Sequence, residues 1–521
     1  MAQFPPSPWG HFFVDYVQDV AKLDEWAERA QVLKEEVKLI LRNALGTPSD
    51  HELSWSMSSN ELVLDINLKM KLKRHYTEYT RPIMIMLRIL IITKEAMISI
   101  MWPFDFAYSE REDTRHQLGE DILDEAIGFT IVHLNSSLPN ILDPLFAKQV
   151  RWALELPTQK RLLRTNARYF ISLYEEINDA TNSVMDPETY ENMCKLLEYA
   201  KLDFNLVQAI HQREVKEVSR WWKEKGLAEK LSYARDRVVE CYVWVMSTAA
   251  SEPRFSQSRV FGAKTFNLIS LTDDTYDAYG VYEELKQYTD SIERWDLAAM
   301  DDFPEYVKPL YHEYMTLFKD TEEELEKEGY SYQIVHMKQA VQELCRAYFT
   351  EAEWYHNRYT PGSEEYKRVS LVTSAYHASF LLTMVYMKEA SIDVIEWWNS
   401  MPRIIMAATE IGRFIDDPVT NKFEQERGHV VSGIECFMEE KGMTRQEVQY
   451  LFKHFYDVAW KDINEACLHP RPFPMYILSK AVNLARVMDA WYNSHNADEY
   501  TFSGGRTKEM ITELLVNAIP V

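Results

Sequence analysis

Two acidic clusters are the residues best placed to do chemistry. Asp273-Asp274-Thr275-Tyr276-Asp277 closes an apolar run that contains Phe266, Leu268, Ile269 and Leu271. On a helix Asp273 and Asp277 share one face and can share metal ions, while Asp274 points elsewhere and can orient them. Hard oxygen ligands of this kind suit Mg²⁺ or Mn²⁺, which keep several waters and bind substrate phosphates rather than filling an all-protein cage. The second cluster runs from Asp416 to Glu424, and Asp416, Thr420 and Glu424 recur at every fourth position. They stack along a single helical face as a ligand set for a further Mg²⁺. Arg413 lies on the same side, where its guanidinium can fork onto a phosphate. Most charge runs are solvated helix surface, and one DDxxD pattern arises by chance in about one chain of this length in ten. The two motifs together are far rarer, and the pair is what points to metal-assisted chemistry on a phosphorylated substrate.

Shared faces require helices, and the rest of the sequence predicts them. Only 15 of the 521 residues are glycine, which disfavours turn-dense β architecture. Leu33, Val37, Leu41 and Leu45 step by four along an amphipathic segment, and Ile122, Leu123, Ala126, Ile127, Ile131 and Leu134 form a second apolar stripe. Further helical patterns cover 162–178, 187–199, 228–250, 257–276, 305–328, 331–356, 364–389, 403–427, 444–465 and 476–495. The expectation is an all-α chain in two helical domains, 1–215 and 216–521, with Gly226 as a helix stop near the boundary. No repeat at a fixed period is present.

Composition excludes several functions. Lys and Arg number 57 against 81 Asp and Glu, a net charge of −24 that opposes attraction to nucleic acid or an anionic membrane. The five cysteines show neither a disulfide framework nor zinc spacing, which fits a reducing cytosol. The N-terminal lead has no signal-peptide or transit-peptide pattern, so the expected location is cytoplasmic. The most apolar window, 83–101, is interrupted by Arg88, Lys94 and Glu95, so membrane insertion is not expected.

With both motifs in view, the chain resembles the plant terpene synthases of the sesquiterpene type. The resemblance runs from Gly119 to the C-terminus. It is carried by Gly119-Glu120-Asp121-Ile122-Leu123-Asp124-Glu125-Ala126, Ala153-Leu154-Glu155-Leu156-Pro157, Arg220-Trp221-Trp222-Lys223, Arg235-Asp236-Arg237, Glu252-Pro253 with Ser256 and Arg259, and Trp460-Lys461-Asp462-Ile463-Asn464-Glu465. Pro5-Pro6-Ser7-Pro8-Trp9-Gly10 resembles the lead of members without a plastid address.

The resemblance implies a helical N-terminal domain without chemistry and a C-terminal helical bundle that ionises an allylic diphosphate, acting as a monomer. Asp273 and Asp277 would bind two Mg²⁺ and Asp416, Thr420 and Glu424 a third, with Arg235, Arg237 and Arg413 on the diphosphate. Trp244 and Tyr500 match the family's pocket aromatics, with Tyr492 beside them. Thr373-Ser374-Ala375-Tyr376 lies where the family breaks a helix to turn backbone carbonyls toward the cation. Farnesyl diphosphate is the expected substrate, rather than the ten-carbon geranyl diphosphate of a monoterpene synthase, because no plastid address is visible; this is an inference from compartment. A prenyl chain-elongating synthase would need a second DDxxD, whereas position 420 is Thr; a silent helical scaffold is the rival without chemistry. Three departures stand out: the 60–115 stretch does not look like the family, Pro418 interrupts the second motif, and one extra residue lies between Tyr492 and Asp498.

Overall fold

A computed structural model of the chain describes residues 4–45, 121–183, 185–249, 251–427, 431–468, 470–493 and 497–521. The atypical 60–115 stretch and the apolar window 83–101 lie outside the described residues. Among the described residues there is no strand, and no helix is long and apolar enough to cross a membrane.

The chain divides into two compact units, Val17–Ile210 with Thr512–Val521, and Met1–Tyr16 with His211–Ile511. The expected boundary at 215/216 thus falls five residues earlier, inside a helix. The first sixteen residues and the last ten also change sides relative to the expected division. Backbone anchoring accounts for the exchanges. Asn205 donates to Ile519 O and accepts from Ile519 N, each at 2.8 Å, while Arg237 donates to Pro5 O at 3.0 Å.

The first unit holds α1 (Val20–Leu45), α2 (Asp121–Ser137), α3 (Pro144–Glu155), α4 (Leu163–Thr181) and most of α5 (Pro187–Lys225). Leu33, Val37 and Leu41 of α1 are fully buried against Leu196, Tyr199 and Leu202 of α5, as their spacing predicts. On α2 the predicted stripe is not buried throughout: Ile127 and Ile131 are exposed, and the buried residue of that turn is Thr130.

The second unit carries the site. It comprises α6 (Val238–Thr248), α7 (Ser256–Asp274), α8 (Tyr282–Arg294), α9 (Lys308–Glu328), α10 (Tyr332–Asn357), α11 (Ser363–Thr373), α12 (Tyr376–Leu382), α13 (Ile392–Asn399), α14 (Arg403–Arg427), α15 (Gly433–Lys441), α16 (Arg445–Ala466), α17 (Met475–Met488) and α18 (Arg506–Leu515, whose last four residues belong to the first unit). Gly226 ends α5 in the left-handed region at φ 62°, the role its position predicts. The helix predicted over 228–250 is instead a single turn, a loop over 231–237 and then α6, so Arg235 and Arg237 sit on loop backbone. Likewise 364–389 is broken between α11 and α12, where Ala375 takes φ 59°.

Helix α14 packs on α16 and α17, and α6 on α7 and α17. Under them Glu214 accepts two hydrogen bonds from Arg259, at 2.8 and 2.7 Å, and one from Tyr242 at 2.7 Å. Burial opposes the Glu214 charge, but Arg259 holds the carboxyl well below its usual range. This pairing ties α5, α6 and α7 together and gives Arg259 of the Glu252-Pro253 motif a structural role.

Candidate active site

On α7, Phe266, Ile269, Ser270 and Asp273 line one cavity at helical intervals. Seven residues at about 1.5 Å each place the carboxylate roughly 10 Å along the axis from the phenyl ring. The stripe therefore runs from apolar to acidic toward the helix C-terminus. Carboxylates there face the negative end of the helix dipole, so they call for a cation.

The acidic end departs from the α-helical path. Helix α7 stops at Asp274, and Thr275–Tyr279 form one π turn closed by Gly280 N to Thr275 O at 2.8 Å. Asp273 and Asp277 both line the cavity, but not with the α-helical offset their spacing suggests. A Cβ on Gly280 would stand 2.3 Å from Leu285 Cδ2 and 2.8 Å from Thr275 O, so only glycine fits the turn as built. Thr275 donates to Leu271 O at 2.6 Å and shares a 2.8 Å hydrogen bond with Tyr233, whose ring stacks on Tyr279 at 4.1 Å.

Asp274 is buried and accepts from Arg235 twice at Oδ2, from the backbone N at 2.7 Å and from Nε at 3.1 Å. Arg235 Nη2 then reaches Asp273 Oδ2 at 2.6 Å, and Nη1 reaches Thr501 Oγ1 at 3.3 Å. Asp274 thus orients its neighbour through Arg235. Burial opposes the Arg235 charge, yet Asp274 and Asp273 keep it firmly cationic.

The second motif stays on a continuous α-helix. Helix α14 runs through Pro418, and Asp416, Thr420 and Glu424 all line the same cavity. Proline removes the donor for Phe414 O without ending the helix; Thr420 Oγ1 donates to Asp416 O at 3.2 Å. Asp417 turns inward, accepting from Tyr366 at 2.8 Å, Gly433 N at 3.1 Å and Arg413 at 3.2 Å. Arg413 also contacts Asp416 at 3.6 Å and donates to Ser370 O and Thr373 Oγ1. Burial, opposed by Arg413 and reinforced by Glu424, Asp417 and Asp498, pushes the Asp416 carboxyl well up. Among the described residues no three His, Cys, Asp or Glu side chains already form a cage. The donor set nonetheless fits a hard divalent ion that takes a few carboxylates and completes its sphere with water and phosphate oxygens.

The remaining lining is aromatic. Trp244, 6% exposed, stacks with Phe266 at 5.4 Å and meets Tyr492 and Tyr500 edge-on at 6.5 and 5.6 Å. Tyr492 sits on a second π turn, Asp489–Asn493. Tyr500 directs its hydroxyl to Ser270 at 2.8 Å and Cys241 at 3.2 Å, which leaves its ring to the cavity and to the Arg235 guanidinium at 5.3 Å. Thr373, Ser374 and Tyr376 line the cavity at the break between α11 and α12, with the Thr373 hydroxyl on Glu351 at 2.8 Å and that of Ser374 on Leu371 O at 2.7 Å.

One expected site residue is not there. Arg237, 1% exposed, does not line the cavity; it donates to the carbonyls of Tyr500 (3.0 Å), Thr501 (2.5 Å), Asp236 (2.7 Å) and Pro5 (3.0 Å). Those bonds commit its guanidinium to backbone, so it braces the 498–501 loop and the N-terminal lead rather than meeting a phosphate. Asp498 caps the same loop, accepting from Tyr500 N and Thr501 N. Conversely, Glu351, Tyr348, Tyr366 and Phe266 line the cavity without having been singled out. Tyr348 and Glu351 stand three residues apart on one face of α10, a spacing that the sequence offers but that nothing within that helix ties to the acidic motifs.

Carboxylates and held guanidiniums on one part of a cavity, with aromatic faces on the rest, define an all-helical metal-dependent enzyme. Known proteins narrow that class. The profile of the "Terpene synthase family, metal binding domain" matches residues 223–462. The chain is 42% identical to a germacrene C/D synthase of Valeriana officinalis over 77% of its length and 69% of that protein's. It is 36% identical to a (-)-germacrene D synthase of Vitis vinifera over 100% and 96% of the two chains. In fold it matches a limonene synthase crystallised with 2-fluorolinalyl diphosphate (TM-score 0.78, 24% identity, 99% of each chain). It also matches isoprene synthase from grey poplar leaves in complex with three Mg²⁺ ions and dimethylallyl-S-thiolodiphosphate (TM-score 0.75, 24% identity, 98% and 99% of the two chains). The chain belongs to the terpene synthase family, a family of metal-using lyases.

Proposed function

We infer that this chain is a sesquiterpene synthase that ionises farnesyl diphosphate. The observation that carries the reading is the convergence on one cavity of Asp273 and Asp277, of Asp416, Thr420 and Glu424, and of Arg235 and Arg413, beside Trp244, Phe266, Tyr492 and Tyr500. Asp273 with Asp277, and Asp416 with Thr420 and Glu424, would hold Mg²⁺, three ions in all, with Mn²⁺ as a substitute. Bound there, the ions supply Lewis-acid stabilisation of the charge developing on the leaving diphosphate. Arg235 and Arg413, unlike Arg237, line the cavity, and the carboxylates beside them fix their positive charge where phosphate oxygens would bind. When the C–O bond breaks, its electron pair leaves with the diphosphate and an allylic cation remains. The faces of Trp244, Phe266, Tyr492 and Tyr500 stabilise that cation by about 2 kcal/mol or more per desolvated contact and keep it from water. Loss of a proton then gives a hydrocarbon, and capture of water an alcohol.

Incubation of purified protein with farnesyl diphosphate, with and without Mg²⁺, followed by gas chromatography with mass detection, tests the reading. A Mg²⁺-dependent fifteen-carbon product is the expected outcome. Turnover of geranyl diphosphate alone would make the chain a monoterpene synthase, and no product from either substrate by a folded sample would make it a silent scaffold. A cytoplasmic monomer is part of the same proposal, checked by light scattering and by the location of a fluorescent fusion.

A further inference from the structure

Tyr376 opens α12 immediately after the left-handed residue Ala375, and its ring lines the cavity. The side chain is 4% exposed, and its hydroxyl is buried without a hydrogen-bond partner. A buried hydroxyl in that state bears its full desolvation cost, so its position has to be held by the packing around it.

What holds it there is an absence on the facing helix. Gly412 of α14 also lines the cavity, and a Cβ at that position would stand 2.3 Å from Tyr376 Cζ and 2.5 Å from both Cε2 and the hydroxyl oxygen. Those atoms are the rigid end of an aromatic ring that is almost wholly buried, so a methyl group there displaces the whole ring, toward the cavity it lines. Gly412 lies one helical turn before Asp416, so the notch seats the hydroxyl on the face of α14 that carries the second acidic motif.

We propose that Gly412 is a specificity-determining residue for the reaction, acting through Tyr376. By lacking a Cβ it seats an unpaired hydroxyl dipole beside the cation's path, and so selects which carbon of the hydrocarbon cation is favoured to bear the charge. The inference rests on the functional reading above, that the cavity holds an allylic cation released from a prenyl diphosphate. Trp244 and Phe266 attract positive charge through ring faces, which are broad; a hydroxyl oxygen held against one helix is a localised negative pole. Moving it changes the relative energies of alternative cations without touching the carboxylates that assist ionisation.

The test compares Gly412→Ala, Tyr376→Ala and the double variant with the wild type on farnesyl diphosphate and Mg²⁺, reading product spectra and diphosphate release separately. Gly412→Ala is expected to cut the share of the major product at least about twofold while diphosphate release stays within about tenfold. The double variant is expected to give the spectrum of Tyr376→Ala alone, because with the ring gone the added methyl has nothing to displace. If Gly412→Ala does not fold, the double variant should restore both folding and that spectrum. An unchanged spectrum in folded Gly412→Ala overturns the inference. So does a double variant that remains unfolded or departs from Tyr376→Ala. A wild type that makes no terpene overturns the functional reading and this inference with it, whereas a productive wild type indifferent to Gly412→Ala overturns the inference alone.

Discussion

At the end of α7 the first acidic motif leaves the α-helical path, whereas on α14 the second keeps to it across a proline. The irregularity of the first is locked from several directions, by the Gly280 notch, the Thr275 hydroxyl and the Tyr233–Tyr279 stack. The irregular residue of the second removes one backbone donor and alters little else. Each motif also has an inward-facing acid that does not bind metal in our reading. Asp274 holds Arg235, and Asp417 holds Tyr366, Gly433 and Arg413. Carboxylate placement therefore depends on tertiary locking in one motif and on plain helix periodicity in the other.

The largest expected effect tests whether the first motif is chemical at all. Asp277→Ala should lower kcat/KM on the order of 10³-fold, the scale for losing one charge-stabilising group. Its melting temperature should barely move, since it is a half-buried side chain outside the core. Surviving turnover, measured as diphosphate release, would remove Asp277 from the metal set. Next, Gly280→Ala should destabilise by about 1–3 kcal/mol through overpacking against Leu285 and Thr275, and should raise the Mg²⁺ concentration needed for half-maximal turnover. A silent substitution, by calorimetry and Mg²⁺ titration, would mean the π turn is not locked. The smallest effect belongs to the second motif. Pro418→Ala should gain ~1 kcal/mol, less than the ~3 kcal/mol of an unrelieved interior proline because α14 already runs through it. Turnover within about twofold of wild type would confirm the contrast; a large loss would show that the proline positions Asp416 or Glu424.

Much of this was legible because helical periodicity is local. Leu33, Val37 and Leu41, the Gly226 stop and the Asp416–Glu424 face need only neighbours a few residues away, and each stands where its spacing puts it. Arg237 was not legible. Arg235 and Arg237 share a triplet, but their fates depend on Asp274 on one side and on the carbonyls of Pro5, Tyr500 and Thr501 on the other, far off in sequence. Glu351 was missed for the same reason, as it acquires meaning only when Thr373, itself bonded to Arg413, arrives beside it.

The all-helical class and the residues able to hold cations are legible in the amino-acid order, because they follow from local spacing and from the chemistry of carboxylates, while the family is legible only as a resemblance carried by whole segments such as Arg220-Trp221-Trp222-Lys223. Tertiary structure decided which of those groups face the cavity, where the backbone breaks at Ala375 and Thr275–Tyr279, and that a missing Cβ at Gly412 seats Tyr376. The physical reason is that packing and hydrogen-bond satisfaction are settled between helices distant in the chain. A ring against a bare α-carbon, or a guanidinium spent on distant carbonyls, leaves no periodic trace in either strand of sequence that makes it.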